Sequence, residues 1–199
     1  MVVALILLFA LFIHKTAPLR YIAFAGLTGA ALLTGYLTRQ GNFAAAIGLL
    51  KPERKTLFYT IPAFFLGILL AVLTRNKYGL ALIPETLGGL ALLSPLIGMV
   101  EELVFRGFIQ GHLSPVSRIF SVVYASLAHT GYKLLVISLL PGPFEFDMPF
   151  MILWTFIGGT AFGVLKDLSG NSIPPLVAHA LFDVMLYGGF SSIPAWVWS

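Results

Sequence analysis

Between Leu57 and Leu73 the chain carries no charged side chain, and the same is true from Tyr21 to Thr38. A helix needs about 20 mostly apolar residues to cross the hydrocarbon of a bilayer, and fewer when it sits in a bundle. Inside lipid every backbone N–H and C=O must find its partner within the protein, and a helix achieves this within one segment. The composition agrees, with 58% hydrophobic residues, 10% charged residues and a mean hydropathy of +0.94. A soluble domain keeps about 25% charged residues for water. The chain therefore reads as an integral, multi-pass protein of the cell membrane. Its expected fold is an all-α polytopic transmembrane bundle forming a single membrane domain over residues 1–199.

Charged and Gly/Pro-rich breaks divide the chain into about seven spans, with a range of six to eight. They are Met1–Ile13, Tyr21–Thr38, Leu57–Leu73, a span opening near Glu85 and continuing to Gln110, Ile119–His129, Pro149–Leu165 and Ile173–Phe190. Met1–Ile13 lacks a basic flank and an obvious cleavage site, which favours a short span over a signal peptide. Leu134–Leu140 either extends the fifth helix or opens a re-entrant piece that ends at Pro141-Gly142-Pro143. Phe43–Lys55 closes on Lys51, Arg54 and Lys55 and reads as an interfacial piece lying on the headgroups. Trp196 and Trp198 suit an interfacial tail.

Threading seven spans puts Arg39, Lys51, Arg54, Lys55, Arg118 and Lys166 in loops on one side. Lys15, Arg20, Arg75, Lys77 and Lys133 fall in loops on the other, too even a split to orient the chain by the positive-inside rule. The net charge of +4 points to anionic lipid headgroups. The basic residues never form a stripe interleaved with aromatics, so nucleic acid is not an expected partner. With no Cys there is no disulfide framework, thiolate metal site or cysteine nucleophile.

Ionisable groups inside a bilayer cost on the order of 3 kcal/mol each, so those that persist face one another and mark a site. Three groups stand out. In Glu101-Glu102-Leu-Val-Phe-Arg106, Glu102 and Arg106 are four apart, in the favourable order for an ion pair on one helix face. Glu101 points elsewhere and is left without that partner, free to act as a general base. His129 lies eleven residues past Arg118, near mid-membrane. His179 and Asp183 repeat the four-residue spacing, so that the carboxylate holds the imidazole in one tautomer. Two carboxylates with an arginine, two imidazoles and a further carboxylate on three spans are expected to form one polar site, with Glu101, His129 and His179 lining a water-accessible cavity.

At these residues the chain resembles the CAAX-protease and bacteriocin-processing family, also called the Abi family, of intramembrane glutamate-dependent proteases. Its pattern is Glu-Glu-x-x-x-Arg, then Phe-x-x-x-His, then His-x-x-x-Asn or Asp on successive helices. Glu101-Glu102-Leu-Val-Phe-Arg106-Gly107 matches the first; His129 fits the second, with Ala125 where the Phe is expected; His179 to Asp183 matches the third in its Asp form. The resemblance covers residues 84–190. It implies that Glu101 activates a water with help from His129, that Glu102 and Arg106 hold the geometry, and that His179 stabilises the oxyanion. An ionised Asp183 cannot donate as an Asn amide would, so it is expected to orient His179.

The resemblance implies an intramembrane endopeptidase acting near the end of a membrane-associated protein or peptide: a C-terminal CAAX-type segment, a leader peptide or a C-terminal sorting tail. No cofactor is expected. The rivals are a proton-coupled transporter, since Glu, His and Asp chains also relay protons, a non-catalytic immunity or scaffold protein, and a metal-dependent hydrolase. The last lacks the His-Glu-x-x-His pattern of zinc peptidases.

Overall fold

The computed structural model describes residues 18–37, 43–138 and 147–190, with isolated positions before residue 18. Most of the Met1–Ile13 span, the Pro141-Gly142-Pro143 break and the Trp196/Trp198 tail lie outside the described residues. Among the described residues every regular element is helical: α1 (Leu19–Leu37), a short α2 (Phe43–Ala46), α3 (Arg54–Lys77), α4 (Gly89–Glu102), α5 (Arg118–Ser138), α6 (Met148–Ser169) and α7 (Ile173–Tyr187). Past Glu102 the α4 backbone widens into a π-helical stretch, Leu103–Gln110, and closes with a turn at Gly111–Leu113.

Three helices, α3, α5 and α6, are long and apolar enough to cross a membrane; α7 and the Tyr21–Ala30 part of α1 are shorter apolar helices. By this measure the described residues carry three spans where the sequence divides into about seven. α7 is 15 residues long, and α4 passes after 14 residues, without a break, into the π-helical stretch, so neither counts as a full-length α-helical span by itself.

Polarity is arranged inside out. On α3, Leu57, Phe58, Ile61 and Phe65 are each more than 60% exposed, whereas Glu102 and Arg106 are 0% exposed. Water offers no reason to expose such a belt or to bury such charges, but lipid does both. Association between helices then depends on close packing. At Gly67 of α3 an added Cβ would collide with the carbonyl of Ala178 on α7, so the two backbones touch there.

Two expectations about charge location are corrected. Arg75, assigned to a loop, is 4% exposed and lies in the last turn of α3. Its guanidinium donates to the carbonyls of Met185, Leu186 and Gly188 at 3.1, 3.0 and 2.9 Å, and to that of Ala81. These include carbonyls left unpaired at the C-terminal end of α7, where a cation is favoured. Lys133, also assigned to a loop, sits within α5, because that helix continues through Ser138 instead of breaking near Gly131.

The segment after α2, read as an interfacial piece, is also bonded to the rest of the bundle. The Ser172 amide donates to the Gly48 carbonyl at 2.8 Å, the Ser172 hydroxyl to the Ile47 carbonyl at 3.0 Å, and the Asn171 amide nitrogen to the Leu50 carbonyl at 2.8 Å. The segment is thus fastened to the start of α7, with buried Ile47 against Gly107. Asp147 opens α6 by accepting from the Phe150 amide at 3.0 Å, and Lys77 from the end of α3 pairs with the same carboxylate at 2.8 Å. The bond from Lys77, with that from Phe150, holds the Asp147 carboxyl below the usual carboxylate range.

Candidate active site

α4, α5 and α7 bring the six residues singled out in the sequence into one buried cluster. Glu102 and Arg106 form an ion pair at 3.1 Å, both side chains fully enclosed. The pair survives the change of helix type between them, and π-helical turns of this kind occur frequently at functional sites. The widened segment turns Val104, Phe105, Arg106 and Gly107 inward together.

Arg106 also fixes the protonation of His129. Its Nη1 lies 3.3 Å from His129 Nδ1, and a guanidinium can only donate, so Nδ1 is the accepting nitrogen. The proton of the neutral ring is therefore on Nε2, which donates to Glu101 Oε2 at 3.2 Å. Phe105, with its ring centroid 4.8 Å away, and Tyr132, nearly parallel at 6.3 Å, pack the imidazole. They supply the aromatic support that Ala125, buried on the same helix, does not.

His179 is held differently from the expectation. Its Nδ1 lies 2.8 Å from Glu102 Oε1, and donation to an ionised carboxylate leaves Nε2 facing the site. Asp183 Oδ1 is 3.9 Å from that Nε2, beyond hydrogen-bond range, and Glu101 Oε2 is also at 3.9 Å. Glu102 rather than Asp183 therefore orients the ring.

Glu101 is not left unpartnered. Lys133 Nζ lies 2.9 Å from its Oε1, and the Tyr132 hydroxyl faces it as well. Reading the sequence missed Lys133, although a signal was present: it follows His129 by four residues, the spacing that joined the other pairs. Gly98 was missed too. A Cβ there would stand 2.5 Å from Asp183 Oδ2 and 2.8 Å from His179 Cδ2, so the absence of a side chain lets α4 approach the His179–Asp183 face.

A cavity of about 60 Å³ adjoins the cluster, lined by His129, Lys133, His179 and Asp183 on one side and by apolar groups such as Leu70, Trp154, Phe162 and Phe182 on the other. That volume holds a few waters, at roughly 10–15 Å³ each. The expected cavity thus contains His129 and His179 in its wall, while Glu101 sits one layer behind them, 3% exposed. The cavity also reaches Thr74, Phe150, Met151 and Tyr187, at the end of the bundle where α3 and α7 finish and α6 begins. There the Trp154 indole donates to Thr74 Oγ1 at 2.8 Å, and Phe150 stacks on Trp154 at 5.6 Å.

Among the described residues no group of three or more His, Asp or Glu side chains is arranged to hold a metal ion. Two cationic side chains, Arg106 and Lys133, occupy positions beside Glu102 and Glu101. What the cluster offers is proton transfer and charge stabilisation next to a small cavity. A family model described as type II CAAX prenyl endopeptidase Rce1-like matches residues 83–185, more than half of the chain.

The chain belongs to the Rce1-like family.

The matched region runs from just before α4 to near the end of α7 and contains the whole cluster. The Rce1-like family is a protease family, and the apolar helices of this member make it an integral membrane protein. No curated protein and no solved structure matches this Rce1-like chain.

Proposed function

We propose that this Rce1-like protein is an intramembrane endopeptidase of the cell membrane. It hydrolyses a peptide bond near the end of a membrane-associated protein or peptide, using a water activated by Glu101. The observation that carries this reading is the convergence on one carboxylate oxygen: Glu101 Oε2 receives the His129 Nε2–H at 3.2 Å and lies 3.9 Å from His179 Nε2, beside the cavity.

In the proposed reaction a water next to Glu101 gives its proton to the carboxylate as its oxygen attacks the scissile carbonyl carbon. His129, already donating through Nε2, holds Glu101 in place and does not itself take the proton. The carbonyl oxygen gains negative charge and receives a hydrogen bond from His179. Because Nδ1 is committed to Glu102, Nε2 carries a proton only in the imidazolium form. Glu102, Glu101 and Asp183 at 2.8, 3.9 and 3.9 Å supply the negative charge that this cation needs. The proton on Glu101 then passes to the leaving amine. Glu102 and Arg106 position both imidazoles without touching substrate. The apolar opposite wall suits an aliphatic or prenylated C-terminal segment of the CAAX type.

Glu101→Gln keeps the side chain's shape and removes its ability to accept a proton. With a fluorescence-quenched prenylated peptide in detergent micelles, cleavage is expected to fall by about 10²- to 10⁴-fold while peptide binding persists. Cleavage at the wild-type rate by Glu101→Gln, with a gel-filtration profile matching wild type, refutes Glu101 as the base.

A further inference from the structure

Lys133 occupies a position that the reaction just described leaves unexplained. Its ammonium stands on Glu101 Oε1, where it competes with a water's proton for the carboxylate. A base used in this way must have that cation withdrawn or shared during turnover. The contact is close at 2.9 Å, yet Oε1 makes no aligned hydrogen bond, so the ammonium approaches off the favourable direction. Lys133 also lines the cavity, and its side chain keeps 16% of its surface exposed.

The other cations of the region are committed elsewhere. Arg106 is enclosed between Glu102 and His129, Arg75 is spent on four backbone carbonyls, and Lys77 pairs with Asp147 at the end of the bundle. Among the described residues that line the cavity, Lys133 is the one lysine or arginine. An anionic group brought into this space by a substrate therefore has one lysine or arginine to meet, apart from the His179 imidazolium already assigned to the oxyanion.

We propose that Lys133 is a specificity-determining residue that binds the free C-terminal carboxylate of the peptide substrate, and in doing so leaves Glu101 to act as the base. This rests on the assignment of Glu101 made above. A lysine carries its ammonium on a flexible four-carbon stem of roughly 6 Å, so the group can leave Glu101 for a carboxylate that enters the cavity it lines. Internal bonds of a long chain bring no carboxylate, and leave Lys133 on Glu101.

The test compares one prenylated, fluorescence-quenched peptide ending in Cys–aliphatic–aliphatic–X in two forms, free acid and terminal amide, using the full chain in detergent micelles. Wild type is expected to prefer the acid by about 10- to 100-fold in kcat/KM, the effect of one charge-assisted hydrogen bond. Lys133→Met keeps the stem and removes the charge, and its acid-to-amide ratio is expected to fall to about one, while Lys133→Arg retains a preference for the acid. The ratio is taken within each variant, so loss of folded protein cancels. A wild-type ratio near one overturns the proposal without any variant, as does a Lys133→Met ratio equal to wild type. Glu101→Gln separates the two assignments. If it still cleaves both peptides, the base has been misassigned, whereas the acid-to-amide ratio of Lys133→Met continues to report on the carboxylate contact.

Discussion

Replacing Gly98 with Ala adds one methyl group to α4 at the point where that helix meets the His179–Asp183 face. The new Cβ would stand 2.5 Å from Asp183 Oδ2, 2.8 Å from His179 Cδ2 and 3.0 Å from His179 Nε2, about 0.9 Å inside ordinary contact at the closest point. His179 cannot yield freely because Glu102 holds its Nδ1 at 2.8 Å, and Asp183 is enclosed at 5% exposure. Overpacking of this kind costs about 1–3 kcal/mol, offset by the roughly 0.5–1 kcal/mol that Ala gains over Gly within a helix. The net cost in stability is thus modest, about 0–2.5 kcal/mol. Displacing a reacting group by about 1 Å, by contrast, costs on the order of 10²-fold in rate. Peptide cleavage and thermal unfolding of Gly98→Ala in the same detergent should therefore diverge, with kcat down about 100-fold and the melting temperature only modestly changed. Gly131→Ala, on α5 with nothing within 4 Å of its added Cβ, serves as control. It is expected to keep full activity and gain about 0.4–1 kcal/mol of stability. Wild-type turnover by Gly98→Ala would refute the argument that Nε2 and its surroundings must stay where they are.

Arg106→Ala leaves Glu102 as an uncompensated buried charge and should cost about 3–5 kcal/mol along with activity; unchanged thermal stability would place the pair in a wetter environment than its 0% exposure indicates. Asp183→Asn should be tolerated better than His179→Ala in the cleavage assay, because the amide keeps the shape and can donate, whereas the second change deletes the donor to the oxyanion. Chelators should leave cleavage unchanged, and strict dependence on an added divalent ion would overturn the glutamate mechanism. Arg75→Met should lower the unfolding temperature without moving the acid-to-amide preference, since Arg75 touches backbone carbonyls and does not line the cavity.

The helical, membrane-embedded character of the chain was legible because it depends on run length and hydropathy, which need no tertiary contact. The spacing of Glu102 and Arg106 likewise displayed its pair directly, since four residues on a helix become neighbours by local geometry alone. The same rule misled at His179 and Asp183, where a residue on another helix, Glu102, took the bond that the sequence assigned to the neighbour one turn on. Lys133 and Arg75 were read as loop charges because a basic residue at the edge of an apolar run is usually solvated. Their true partners, Glu101 and the end of α7, are distant in sequence and visible only after folding. Gly98 carried no signal of its own, as its importance lies in what a side chain would strike.

The carbonyls that satisfy Arg75 have a bearing on how the protein is made. Arg75 enters with α3, but Leu186, one of its acceptors, is synthesised 111 residues later. At about 5–20 residues per second the interval is on the order of ten seconds. Through that time the nascent chain holds a guanidinium with the Ala81 carbonyl but without its three acceptors at the end of α7, and Glu102, Gly48 and Leu50 wait for partners on the same closing segment. Among the described helices α7 is made after the others, and it quenches polar groups that they lay down. A ribosome that stops short of α7 releases a product carrying unsatisfied charge in lipid, which distinguishes an unfinished copy from a finished one for any membrane quality-control system.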